Sequence, residues 1–322
     1  MRNGFALTDG ANPHIQRSRE IIKLHPEVRQ YFTHYPLSGV CITGVVGLQV
    51  GIAYVLRDTS WLWMVLCAYL VGAFVSHALF VLIHEASHNL VVKGTLPNRF
   101  FGILCNIGQG FPSAMSFRTY HLLHHSHLDE YSYDADLAFD WEARLVKNSP
   151  LRKAVWLFLF AAIEIIRPLR IQRQFADRWA VLNTAIIAAT DFLVWWWCGW
   201  LGLGYVILST LAGVGLHPVG ARWIQEHYTF REGQETYSYY GILNRIAFNI
   251  GYHNEHHDLI KVPWVHLPKV KTIAPEFYDN LHAHRSWTRV LLQFLFDPQI
   301  DLYARITRDR KLNSARRAIA AA

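Results

Sequence analysis

Apolar and polar positions in this chain alternate in blocks much longer than a helical turn. Residues 36–56 carry no formal charge, and after the polar turn Arg57-Asp58-Thr59-Ser60 a second apolar run extends from Trp61 to Ile83. About 20 apolar residues suffice to cross a bilayer as a helix, so both runs are long enough. From Trp179 to Ala221 the only charge is Asp191. That stretch is too long for one crossing and is expected to form two helices joined by a tight turn around Leu201–Gly204. Trp61 and Trp63 fit an interfacial aromatic belt, and Trp195, Trp196, Trp197 and Trp200 are expected at the far interface. Phe100–Phe111 and Ala154–Ile166 are too short to span and read as interfacial or re-entrant pieces, the second interrupted by Glu164.

Four crossings place residues 1–35, 84–178 and 225–322 on the same side, with helix pairs in 36–83 and 179–224. The two connecting turns hold only Arg57 as a basic residue, while Lys and Arg are frequent elsewhere, which makes that shared side cytosolic. The expectation is one domain over 1–322. Within it, Ser18 to Leu24 reads as a short amphipathic helix ending near His25-Pro26, lying on the membrane surface or on the catalytic portion. Gly39, Gly44, Gly47 and Gly51 fall at spacings expected to allow close helix contact. Asp191 is expected to pack against a polar group of another helix.

Composition agrees with a membrane protein: 52% hydrophobic and 17% charged residues, against about 25% charged in ordinary soluble domains. The net charge of +7 does not point to nucleic acid, because no basic, aromatic-studded surface segment accompanies it. Cys41, Cys67, Cys105 and Cys198 sit in apolar surroundings without a C-x-x-C pair, which argues against disulfides and zinc ribbons. The polar start argues against a cleaved signal peptide, and Arg2 in place of Gly argues against N-myristoylation.

Histidine changes the picture most. His84 and His88 follow directly on the second apolar run, His121, His124 and His125 share an H-x-x-H-H spelling, and His253, His256 and His257 repeat it. Offsets of three and four residues put imidazoles on one helix face, able to converge on one point. Eight such residues are too many for one zinc and suit two metals; imidazole accepts zinc, copper, iron or nickel. The carboxylate-bridged E-x-x-H pattern of ferritin-like bundles is missing, and an all-histidine dinuclear iron site facing a membrane suggests oxygen activation. His227 sits past the fourth apolar run as His84 sits past the second, and is expected to be a ligand. His217 is expected to be a core histidine within the fourth span, and His127 to lie outside the ligand set. His14, His25, His34, His266, His282 and His284 are isolated and expected at the surface. His217-Pro218-Val219-Gly220 resembles a haem-binding HPGG but lies in an expected membrane helix, so electrons must come from a separate protein. A histidine-rich metal transporter fits poorly, because the clusters fall outside the spans and on one side. The fold class is therefore an all-α integral membrane protein: four transmembrane helices with a cytosolic helical cap holding a His-rich di-iron site.

The boxes HEASH, HLLHH and HNEHH, with REIIKLHPEV at 19–28, GLHP at 215–218, EHYTF at 226–230 and ETYSYYGILNRIAFNIGYHNEHHD at 235–258, resemble the sphingolipid delta-4 (dihydroceramide) desaturases. These belong to the membrane fatty-acyl desaturase and hydroxylase superfamily. The resemblance implies two Fe2+ ions, O2 as co-substrate, and electrons from a separate donor such as cytochrome b5 or a ferredoxin. It implies a membrane lipid substrate, dihydroceramide, receiving a trans C4–C5 double bond; C4 hydroxylation and fatty-acyl desaturation are alternatives with the same chemistry. Carried over by position, the metal ligands are His84, His88, His121, His124, His125, His227, His253, His256 and His257. The chain departs from the family at its start, which lacks Met-Gly, and at Arg222, where those enzymes have a histidine. The expected location is the endoplasmic reticulum if eukaryotic or the inner membrane if bacterial; Ala318–Ala322 shows no retrieval signal.

Overall fold

Where the sequence runs apolar without a break, the computed structural model, which describes residues 4–171 and 177–308, is helical. The expectations resting on position 2 and on Ala318–Ala322 lie outside the described residues. The N-terminal helix α1 (Pro13–Leu24) is started by Asn12, whose side chain accepts from the His14 amide, and stopped at His25 before Pro26. Three helices are long and apolar enough to cross a membrane: Leu37–Leu56, Trp61–Ser87 and Arg178–Val214. The first is α2. The second comprises α3 (Trp61–Cys67), a π-helical turn over Ala68–Gly72, and α4 (Ala73–Ser87). Between the second and third lie α5 (Thr95–Ile107), α6 (Ala114–Ser126), α7 (Asp140–Val146), α8 (Pro150–Phe158) and α9 (Phe160–Ile166). The third is α10 (Arg178–Val214), followed by α11 (Arg222–His227), α12 (His253–Asp258), α13 (Leu267–Ile273) and α14 (Trp287–Phe296). A two-residue parallel pairing of β1 (Ala6–Leu7) with β2 (Ile306–Thr307) ties the N-terminal segment to the C-terminal one.

A straight helix as long as α10 would measure about 55 Å, nearly twice the hydrocarbon thickness. It is not straight. Gly199 takes φ 63°, ψ −172°, a left-handed conformation open to glycine, and breaks α10 into limbs 178–198 and 200–214. Asp191 and Ile207, on either side of the break, both approach Gly110, so the limbs turn back on one another. The break thus precedes Leu201–Gly204, the expected turn, which is helical in the second limb. There Gly202 packs instead: a Cβ on it would lie 2.8 Å from the Ala53 carbonyl oxygen of α2. The helix also stops at Val214, short of Ala221, because Gly215 leaves helical geometry and Pro218 follows.

Two further expectations are corrected. On α2 only Gly39 makes a close contact, against Phe101; a Cβ on Gly44, Gly47 or Gly51 would meet nothing. The close approaches lie on the partners, with Gly213 of α10 against Ala73 and His77 of α4. Asp191 is half-buried, and its buried Oδ1 finds no hydrogen-bond partner, so the expected polar contact on another helix is not made among the described residues.

Exposed apolar side chains cover the outward faces of these helices, among them Val40, Leu48, Val55, Leu70, Phe192 and Leu193. Exposed Trp61, Trp63, Trp196, Trp197 and Trp200 gather at the end formed by the 57–60 turn and Gly199, as an aromatic belt would. At the opposite end lies a layer of shorter helices. Trp156, Phe160, Ile224, Trp287 and Phe294 join α8, α9, α11 and α14 in one apolar cluster. Ile21 and Val28 pack with Leu259, Val262 and Val270, so α1 rests on this layer. Arg167, buried, donates to Glu142 at 3.0 Å and to Glu164 at 2.8 Å, which fixes α9 against α7.

Candidate metal centre

Three helix ends meet between the spans and this layer. α4 carries His84 in its last turn with His88 capping it, α6 carries His121, His124 and His125 along its last turns, and α12 carries His253, His256 and His257. Phe248 and Asn249, both at positive φ, reverse the chain just before α12 and turn it inward. His227, the last residue of α11, completes the set.

The imidazoles divide into two groups. Ligand atoms of His84, His88, His121, His125 and His256 lie within 4.8 Å of one another, as do those of His124, His227 and His257. His253 joins the second group, its Nε2 2.9 Å from Nε2 of His227. The groups touch where His125 and His257 stack at 4.2 Å. All nine expected residues are thus brought together.

In the first group His121 Nε2 lies 2.8 Å from that of His88 and 3.0 Å from that of His125, and His125 Nε2 lies 3.1 Å from that of His256. A neutral imidazole nitrogen has either one proton or one lone pair, so these four atoms cannot satisfy three mutual contacts without sharing a proton. A cation between them would use every lone pair at once. Imidazole nitrogens about 2.1 Å from a divalent ion and at right angles sit about 3.0 Å apart, which matches these separations. In the second group the buried Nε2 of His257 has no hydrogen-bond partner. The residues present fit two metal ions.

Electrostatics keeps most lone pairs available. Burial, and then neighbouring imidazoles, hold His121, His125, His227, His253, His256 and His257 well below the ordinary imidazole range. Burial and the nearby Arg118 push His88 down to about 3. His124 differs: burial opposes its charge, but Asp134 and Asp136 outweigh burial and push it up to about 9. Its Nδ1 lies 3.0 Å from Asp134 Oδ1, which holds a proton on that nitrogen, so Nε2 is the atom that would give up its proton to a metal.

The fatty acid desaturase model matches residues 59–289, a span that takes in all nine histidines. The sphingolipid delta(4)-desaturase DES1 of Drosophila melanogaster is 39% identical over 312 residues, covering 96% of this chain and 97% of the fly protein. A DES1-like sphingolipid delta(4)-desaturase of Oryza sativa is 40% identical over 304 residues, 94% of this chain and 92% of its own length. The sphingolipid delta(4)-desaturase/C4-monooxygenase DES2 of Rattus norvegicus is 36% identical over 313 residues, 97% of each chain. This chain belongs to the fatty acid desaturase family. It is an oxidoreductase with a mostly helical desaturase fold.

Around the desaturase histidines lies a set of carboxylates that spacing alone did not single out. Glu226 Oε1 is 3.3 Å from His253 Nδ1 and accepts from Arg222 at 2.5 Å, so the arginine that departs from the family pattern anchors a histidine's partner. Glu255 lies between His253 and His256 but turns away, accepting from Ser238 at 2.8 Å and Tyr240 at 2.6 Å; burial pushes it up to about 7. The ETYSYY segment therefore clamps α12 from behind. Asp258 receives His14 and Arg17 of α1, each at 2.6 Å.

Two isolated histidines are not at the surface. His14 is buried against His257, with ring centroids 4.8 Å apart, because docking of α1 carries it there. His284 is buried between Phe230 and Tyr237. His25, His34, His266 and His282 keep at least part of their surface. His217 is a core residue as expected, packed on Tyr69 and Phe74, although it lies past the end of α10. His127 contacts Ser126 and Tyr133 and stays outside both groups. His77, which belongs to no histidine box, is buried on α4 two turns before His84, its Nδ1 3.0 Å from the Gly213 carbonyl oxygen.

Proposed function

We propose that this chain is a sphingolipid delta(4)-desaturase that places a trans C4–C5 double bond in the sphinganine base of dihydroceramide. The observation that carries this reading is the 39% identity, over 96% of the chain, with a protein of that name. His84, His88, His121, His125 and His256 would hold one iron, and His124, His227, His253 and His257 the other. When bound, the pair supplies the reducing chemistry that lets O2 accept hydrogen from an unactivated CH2. Taking two hydrogens from the lipid and two electrons with two protons from outside, O2 leaves as two waters. Cytochrome b5 or a ferredoxin would deliver those electrons.

The protein's own part is placement. Asp134, Glu226 and Asp258 orient the histidine layer directly or through His14, and nine closely packed rings exclude bulk water. Each limb of α10 is read as a crossing, which with α2 and the helix Trp61–Ser87 makes four. The nine histidines then face the cytosol from one domain, in the endoplasmic reticulum or a bacterial inner membrane. C4 hydroxylation is the second reading, favoured by the C4-monooxygenase activity in the names of similar proteins from rat and mouse. The two outcomes need the same electrons and diverge after the first hydrogen is removed.

Membranes carrying the full chain, given dihydroceramide deuterated at C4 and C5, separate these readings by mass spectrometry. Desaturation predicts ceramide lacking one deuterium at each carbon, whereas hydroxylation predicts retained C5 label and an added oxygen. Unchanged dihydroceramide beside a newly desaturated acyl lipid would overturn the sphingolipid assignment.

A further inference from the structure

A cavity of about 370 Å³ opens between α5, α6 and the start of α10. Arg99 of α5, Met115, Arg118 and Leu122 of α6, and Asp177 and Trp179 at the start of α10 line it. Neither arginine has a carboxylate partner among the described residues. Arg99 lies over the Trp179 ring at 4.7 Å. Arg118 donates to the carbonyl oxygens of Ala86, at 3.2 Å, and Ser87. The one acid in the lining, Asp177, is committed to the helix start, accepting from the Trp179 and Ala180 amides at 2.9 and 2.8 Å. The neighbouring stretch 172–176 contains no acidic residue. The buried Nε1 of Trp179 is also without a hydrogen-bond partner.

Two half-buried guanidiniums and the single carboxylate of Asp177 leave the cavity with a net charge of +1 and rich in donors. Such forks match phosphate oxygens. The surroundings decide how the phosphate arrives. Leu96 and Phe100 on α5, and Val181 and Leu182 on α10, are exposed apolar residues within a turn of Arg99 and Trp179 on the same two helices. The cavity itself lies at the polar end of the spans, where headgroups sit, and Met115 and Leu122 give it an apolar wall. A free phosphate would use the arginines but not these apolar residues.

We propose that this cavity binds the phosphate of an anionic membrane phospholipid, with the acyl chains lying along the exposed face of α5 and α10. Bound there, the single negative charge of the lipid, together with Asp177, balances Arg99 and Arg118, and the lipid joins α5, α6 and α10. On the proposed reading of the substrate as dihydroceramide, its neutral headgroup carries no charge to match these arginines, which favours an anionic lipid here.

Native mass spectrometry of the full chain in neutral detergent tests this, using phosphatidylglycerol and phosphatidylcholine with the same acyl chains. Two arginines predict a preference of about thirtyfold for phosphatidylglycerol, falling about fivefold in Arg99→Gln and being largely kept in Arg99→Lys. Arg99→Gln should lower the lipid-free thermal midpoint by no more than loss of the Trp179 ring contact accounts for, because that side chain makes no ion pair among the described residues. Excess inorganic phosphate should not displace the lipid. Equal retention of the two lipids would overturn the proposal, as would a preference that survives in both Arg99→Gln and Arg118→Gln. Displacement by inorganic phosphate would overturn the lipid as the source.

Discussion

His256 closes the five-histidine group: its Nε2 lies 3.1 Å from His125 of α6 and its ring 4.3 Å from His84 of α4. Replacing it by Ala should abolish lipid conversion while leaving membrane insertion intact, since it lies outside the three apolar helices. Full turnover in membranes carrying His256→Ala would contradict its role. Glu226 acts one bond further out, through Nδ1 of His253. Glu226→Gln should weaken metal binding about 10- to 100-fold in chelator competition, whereas Glu232→Gln, at an exposed position, should not change it. The two kinds of residue differ in how readable they were. The H-x-x-H-H spacing revealed the histidines because their geometry is local to one helix. Glu226 and His14 meet His253 and Asp258 through folding of distant segments, and Asp134 reaches His124 through the loop after α6, so nothing in local periodicity marks them. Arg222 was legible as a departure from the family, but its pairing with Glu226 required the structure.

Helices here pack through glycine, but of the glycines that spacing suggested only Gly39 makes a close contact. Gly44, Gly47 and Gly51 recur on α2, yet a methyl group on any of them would meet open space, whereas one on Gly213 would lie 2.7 Å from the Ala73 carbonyl oxygen. Gly213→Ala should therefore cost about 1–3 kcal/mol in thermal or denaturant unfolding of the full chain, because backbone must move to admit it. Gly44→Ala should be close to neutral in the same measurement. Equal effects would contradict the packing of α4 on α10. Helix positions were legible from long uncharged runs, since lipid-facing helices are apolar on all sides. Which glycine faces a partner was not, for the same reason: with no polar face to orient the helix, period alone does not distinguish lipid from protein. The break at Gly199 in place of Leu201–Gly204 has a similar origin, since 199, 202 and 204 are all glycine and only packing against Ala53 and Met64 keeps the latter two helical.

At the scale of the whole molecule, apolar helices open at one end onto a layer built from α6 to α9 and α11 to α14, with α1 laid across it. The nine imidazoles lie at the join, so each wall of the site comes from a different part of the chain. The desaturase fold and the convergence of the histidine boxes were both foreseeable, because the boxes end or follow predicted spans. The bracing of the third box by α1 and by the ETYSYY segment was not, because those contacts depend on pairing across more than two hundred residues in the case of His14 and Asp258. The nine imidazoles at this join are expected to hold two irons. Element-resolved mass spectrometry of the purified full-length chain tests this most directly, with two iron atoms per folded chain as the predicted result, one for each imidazole group. A folded chain that retains no iron, or that carries zinc in its place, would contradict the account.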